Sequence, residues 1–236
     1  MDVVSLQLKT HARYQENLDT LIALVEQHRD KAVIVAPEVC LTGFDYAHME
    51  TVAKFSILAL KSLKKIIDKQ ILVLTLILKE KDHFVNQAVV IHRHKVIYRQ
   101  NKVKLFTLGD EQKYFKAGSS RGVKLFEVDG VKYAILICFE LRFKELWQKV
   151  EGADVVIIPS RWGLPRKIHL EALSRALAVM NQCYVILSNS SDTDMASASA
   201  IISPWGDMIQ DDTSISIEGE IDLKEIKKIR RYIQMQ

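Results

Sequence analysis

Five apolar residues, Tyr133–Ile137, run straight into Cys138, and a short polar stretch through Arg142 separates them from a helical pattern at Phe143–Val150. A strand that is apolar at every position is one buried on both faces, so the chain must supply layers on either side of it. The following segment places Phe143, Leu146, Trp147 and Val150 on one side of a helix. A strand that ends in a thiol and turns into a helix presents that thiol at the rim of a sheet. Ligands of open α/β sheets gather at that rim. The plainer reading of Cys138 is a small buried hydrophobe, the usual place of a free cysteine.

The rest of the chain repeats the theme. Strand patterns occur at Val3–Leu8, Ala32–Ala36, Ile71–Leu78, Phe84–His92, Lys95–Arg99, Val155–Ile158 and Tyr184–Leu187. Amphipathic helices are expected at Asn17–His28, Ala53–Lys69 and Ile168–Asn181. Asp129-Gly130 predicts a hairpin turn between Val123–Val128 and Val131–Ile137. Two late strands, Ala198–Ser203 and Ser214–Ile221, are expected to join through Pro204-Trp205-Gly206-Asp207. Val39–Met49 reads as a loop, and Gln100–Arg121 as a long, charge-rich loop of the kind that usually carries function. A β–α–β pattern appears in both halves. No linker or low-complexity segment divides the chain, so a single domain over residues 1–236 is expected.

Composition bounds the function. With 48% hydrophobic and 26% charged residues the chain has a globular balance. The net charge of +4 lies largely in the Lys224–Arg231 run. A solvated helix face explains that run better than a nucleic-acid site, because no aromatic residue interleaves with it before Tyr232. The longest apolar run, Ile71–Leu78, is too short to cross a bilayer. The cysteines Cys40, Cys138 and Cys183 are far apart and odd in number, which argues against a disulfide framework. With no signal-peptide pattern at Met1, a cytoplasmic location is expected.

Three strand or loop ends carry reactive groups in the order Glu38, Lys102, Cys138. A thiol needs a base, which a carboxylate supplies, and a tetrahedral intermediate needs a donor, which a lysine supplies. The same lysine favours the thiolate. On residue types alone the triplet is unspecific. The words around it are more particular: Ala36-Pro37-Glu38, Asn101-Lys102-Val103-Lys104-Leu105-Phe106, and Ile137-Cys138-Phe139-Glu140-Leu141-Arg142-Phe143. Ala153-Asp154-Val155 through Pro159, Arg175-Ala176 through Val185, and Ser203-Pro204-Trp205-Gly206 extend the set. In this order the segments resemble those of the nitrilase superfamily of carbon–nitrogen hydrolases, over nearly the whole chain.

The resemblance implies a four-layer αββα sandwich, pairing into homodimers or larger assemblies, and a cofactor-independent hydrolase of a non-peptide C–N bond. It implies Glu38 as general base, Lys102 as oxyanion-stabilising lysine and Cys138 as nucleophile, with the backbone N–H of Phe139 as second oxyanion donor. Glu111 falls where many members place a further glutamate that positions substrate and lysine. The segment Ser160–Arg166 resembles the branch containing omega-amidases, which implies substrate-positioning roles for Trp162 and Arg166. Arg161 or Arg166 could then hold a free carboxylate by a bidentate contact; the plainer reading, and the favoured one, is that both cap or solvate the start of the Ile168–Asn181 helix. Some positions depart from the family pattern. Lys104 stands where a histidine is common, Lys144 where a proline is, and Ser197-Ala198-Ser199 replaces Gly-His-Ser.

Other constellations are weaker. Arg142 is expected to pair with Glu140 or Glu145. His92 and His94 would share one face of a strand, but no further ligands for a metal are suggested. His169-Leu170-Glu171 matches a glutaminase pattern that also needs glycines around its cysteine, and none is there. Cys40 and Cys183 read as packing residues. The partner expected is a small-molecule amide, with neither nucleic acid nor membrane involved. Hydrolysis of an N-carbamoyl compound, acyl transfer to an amine, and a non-catalytic role in metabolite binding remain as alternatives.

Overall fold

The computed structural model describes residues 1–235. Two six-stranded sheets lie face to face with helices outside them, an αββα sandwich. The first sheet holds β1 (Asp2–Leu6), β2 (Val33–Val35), β3 (Ile71–Glu80), β4 (His83–His92), β5 (Lys95–Asn101) and β12 (Ser216–Glu220), in the order β12-β1-β2-β3-β4-β5. The second holds β6 (Phe126–Val128), β7 (Val131–Ile135), β8 (Val155–Ser160), β9 (Tyr184–Asn189), β10 (Ala200–Ile202) and β11 (Met208–Gln210), in the order β11-β10-β9-β8-β7-β6. Each sheet has a parallel core, β1-β2-β3 and β7-β8-β9, extended by antiparallel strands.

Side-chain alternation explains the uninterrupted apolar runs. In the first sheet Val3, Val33, Val35, Ile71, Val73, Ala88 and Val90 point between the sheets. Their neighbours Val4, Ile34, Leu72, Leu74, Val89 and Ile91 point outward. The outward set packs on helices α1 (Tyr14–Gln27) and α2 (Met49–Ile66) through Leu18, Leu21, Val25, Leu60 and Leu63. Between these runs lie α3 (Glu111–Tyr114), inside the predicted long loop, and α4 (Lys144–Lys149), after Cys138. The second sheet is covered by α4 and α5 (Lys167–Asn181), using Leu146, Leu170 and Leu177. The central strands thus meet apolar surface on both sides, worth about 25 cal/mol for each Å² removed from water. The inter-sheet layer is also stitched by polar groups: Ser5 Oγ donates to Leu187 O and Ser188 Oγ to Leu6 O, both at 2.6 Å.

The structure corrects several expectations. The two late strands are not joined directly, and they lie in different sheets, β10 in the second and β12 in the first. The Pro204–Asp207 turn leads from β10 into β11, a strand too short to show a pattern. The 100–121 segment is not all loop, since β5 runs to Asn101 and α3 forms inside it. His92 ends β4, while Arg93 and His94 have φ of 47° and 61° in the following turn, so the two histidines share no strand face. The basic terminal helix α6 (Leu223–Tyr232) is docked by Ile226 and Ile229, and its Arg230 pairs with Asp154 at 3.2 Å. None of the helices is long and apolar enough to cross a membrane among the described residues.

Candidate active site

The parallel strands of both sheets end at one rim, and the sequence-predicted groups gather there. Glu38 lies three residues beyond β2, Lys102 directly follows β5, and Cys138 follows β7. Trp162 and Arg161 follow β8. Glu38 reaches across the sandwich: its backbone N–H donates to Ser160 O at 3.1 Å. The turn after it is held by Thr75, whose Oγ1 accepts from the N–H of Val39 at 2.7 Å.

Lys102 is the centre of a dry ionic cluster. Its Nζ donates to Glu38 Oε1 at 2.7 Å and to Glu111 Oε1 at 2.6 Å. Lys102 and Glu38 are both 0% exposed. Glu111, at the start of α3, is fixed further by the Phe106 N–H, which donates to Oε2 at 3.2 Å. Burial works against the Lys102 ammonium, but the carboxylates of Glu38 and Glu111 outweigh it and hold its pKa above the ordinary range. Burial pushes the Glu111 carboxyl up, Lys102 opposes this, and the like charge of Glu38 reinforces it. Two carboxylates around one ammonium leave a net negative charge, which a dry site disfavours.

Cys138 sits at the head of a 3-10 turn, Cys138–Arg142, with φ of 50°. That left-handed conformation costs a non-glycine residue about 1–3 kcal/mol. Burial pushes its thiol well above the usual range, Glu38 adds to this, and Lys102 and the backbone amide of Arg161 oppose it. The lysine therefore acts in the expected direction without making an acidic thiol; the resting group is neutral and needs a base. Cys40 and Cys183 are buried too, and burial pushes each up to about 12.

Beside Cys138 lies a narrow cleft lined also by Phe106, Phe139, Arg142, Arg161, Trp162 and Arg166. Phe139 packs edge-on against Phe143, with ring centroids 5.1 Å apart. Arg161 is held in an ion pair with Asp192 and donates to Thr10 Oγ1 at 2.8 Å. It neither caps α5 nor offers a free fork. Arg166 lies over the Phe106 ring at 5.2 Å, and Arg142 over the Trp162 ring at 4.7 Å. Arg142 corrects the expectation of a pairing with Glu140 or Glu145. Its Nη2 donates to His169 Nδ1 at 3.0 Å, while Glu145 pairs with Lys104 at 2.7 Å. Neither Arg142 nor Arg166 has a carboxylate partner among the described residues. His169 is thereby engaged with an arginine.

Asn86 was not anticipated. Its Nδ2 donates to Glu38 Oε1 at 2.8 Å, and its backbone O accepts from the Lys102 N–H at 2.8 Å. One β4 residue thus orients the carboxylate and the lysine together. Its only sequence signal is the polar pair Asn86-Gln87 interrupting an apolar strand.

These elements define an enzyme class. The chain belongs to the carbon–nitrogen hydrolases, whose family model matches residues 3–231. It is 32% identical over 238 residues to 2-oxoglutaramate amidase of Bacillus subtilis strain 168, covering 95% of this chain and 91% of that one. To the omega-amidase YafV of Escherichia coli K12 it is 25% identical over 207 residues, covering 84% and 80%. Its fold matches XC1258 of Xanthomonas campestris, a CN-hydrolase superfamily protein, with a TM-score of 0.87, 18% identity and coverage of 99% and 94%.

Proposed function

We propose that the protein hydrolyses the terminal amide of a small carboxylic acid, releasing ammonia through a thioester on Cys138. The observation that carries this is Lys102, locked between Glu38 and Glu111 next to a neutral cysteine at the edge of an arginine-rimmed cleft. Glu38 takes the thiol proton as the sulfur bonds to the amide carbon. The carbonyl electron pair moves to oxygen, where Lys102 Nζ and the Phe139 N–H receive it. As the intermediate collapses, the C–N bond breaks and Glu38 returns the proton to the departing ammonia. Glu38 then deprotonates a water, which attacks the thioester; the C–S bond breaks and the sulfur regains a proton. Glu111 holds the lysine in place throughout.

The unpaired Arg142 and Arg166 support an acidic substrate, of the class named by the 2-oxoglutaramate amidase and omega-amidase relatives. Trp162 closes one side of the cleft under Arg142. The decisive experiment is intact mass after acid quench during turnover: one acyl group is expected on Cys138, and Cys138→Ala should abolish both adduct and turnover. An adduct on Cys40 or Cys183 would overturn the mechanism.

Two features support the wider setting. Three buried cysteines without disulfides fit a reducing, cytoplasmic compartment. Ile168, Val179 and Met180 of α5 are exposed, which fits pairing with a second copy.

A further inference from the structure

Glu140 is completely buried, lines no part of the cleft and forms no ion pair among the described residues. Its carboxylate is directed instead at two backbone amides. Oε2 accepts from the N–H of Ile137 at 2.7 Å, and Oε1 from the N–H of Val103 at 2.6 Å. Ile137 immediately precedes Cys138, and Val103 immediately follows Lys102. One side chain therefore clamps the segment of the nucleophile to the segment of the lysine, across two different sheets. Gln100 spans the same gap, its Nε2 donating to Ile135 O at 3.1 Å and more distantly to Glu140 Oε2 at 3.5 Å, a third donor that a carboxylate accepts. The Glu140 N–H also donates to Ile137 O at 3.0 Å, closing the turn that holds Cys138 at its positive φ.

We propose that Glu140 is a positioning residue whose ionised carboxylate sets the spacing between Cys138 and Lys102, and with it the geometry that receives the oxyanion. This rests on the thioester mechanism above. The chemistry requires a carboxylate. Two N–H donors need two acceptors, and only the ionised acid offers acceptors alone; an amide or a protonated acid turns a donor toward one of them. Burial pushes this carboxyl up to about 7, and the amides of Ile137 and Val103 pull against that, as does Lys102. A buried anion without a counter-ion contact is poorly explained by stability, since a neutral group of the same size would avoid the desolvation cost.

Glu140→Gln keeps the shape but misplaces a donor. Its kcat is expected to fall between about tenfold and a hundredfold, as for a small misplacement of reacting groups, with the KM for the same amide and the melting temperature little changed. Glu140→Asp loses more volume but keeps both acceptors, and is expected to retain a higher kcat than Glu140→Gln. A Glu140→Gln enzyme with wild-type kcat, or a Glu140→Asp enzyme no faster than the Gln variant, would overturn the assignment. If the Gln variant does not fold, Glu140→Asp decides: kcat within about tenfold of wild type at unchanged KM supports the role, and a larger loss sinks it. Cys138→Ala separates the two readings. Turnover by that variant removes the thioester mechanism, whereas its inactivity beside a fully active Glu140→Gln removes only the positioning role.

Discussion

Glu38 Oε1 accepts from Lys102 Nζ at 2.7 Å, while Oε2 of the same carboxylate is buried with no hydrogen-bond partner among the described residues. One oxygen is held by the lysine and Asn86, and the other is free to take a proton. Glu38→Gln keeps the shape but cannot accept that proton. Turnover should fall at least about a hundredfold, and an acyl group delivered from an activated ester should persist on Cys138 because no base activates water. Acyl-enzyme that decays at the wild-type rate in this variant would show that Glu38 is not the base.

Lys102→Ala removes the proposed oxyanion donor and a cation beside the thiol. Acylation should slow by at least about a hundredfold. The sign of the pH effect follows from charge: a cation favours the thiolate, so its loss moves the Cys138 titration further up. Alkylation of Cys138 measured against pH should therefore need more alkaline solution in the variant. An unchanged or lowered midpoint would remove Lys102 from the neighbourhood of the sulfur.

Arg142 and Arg166 line the cleft without carboxylate partners among the described residues, so each is available to a charged substrate. Replacing either with Ala should raise KM for an acidic amide by about tenfold or more, the scale of a lost charge-assisted hydrogen bond, and should barely alter it for a neutral amide of similar size. Parallel effects on both substrates would make the arginines structural.

The exposed apolar face of α5 should be covered in solution. Sedimentation across micromolar concentrations is expected to give a dimer or a multiple of it, and introducing a charge with Met180→Glu should shift it toward the monomer. A single species of 27.0 kDa at all concentrations would exclude the pairing.

Much of this site was legible because reactive groups stand where apolar runs stop. Glu38, Lys102 and Cys138 each end a strand, and the surrounding words tie them to a family. What the sequence hid was partnership at a distance. Arg142 has Glu140 and Glu145 close in the chain, which made local ion pairs look natural; the fold instead directs those carboxylates to backbone amides and to Lys104. Asn86 sits in a strand whose neighbours say only that it is buried. The last two strands were expected to be joined through Pro204–Asp207, yet that turn leads into β11, and β12 pairs with β1, bringing Asp2 opposite Glu220. Periodicity shows that a strand exists and carries no information about which strand it joins.

The site draws its carboxylates and its cation from one side of the sandwich and its thiol from the other sheet. On the mechanism proposed, each half is thus chemically mute alone: one stores charge without a nucleophile, the other holds a nucleophile without a base. What makes them a catalyst is the seam, an apolar layer with a few polar stitches such as Ser5 to Leu187 and Ser188 to Leu6. A slight slip along that seam would silence the enzyme while leaving both sheets intact, so on heating, activity should vanish before the β-structure does.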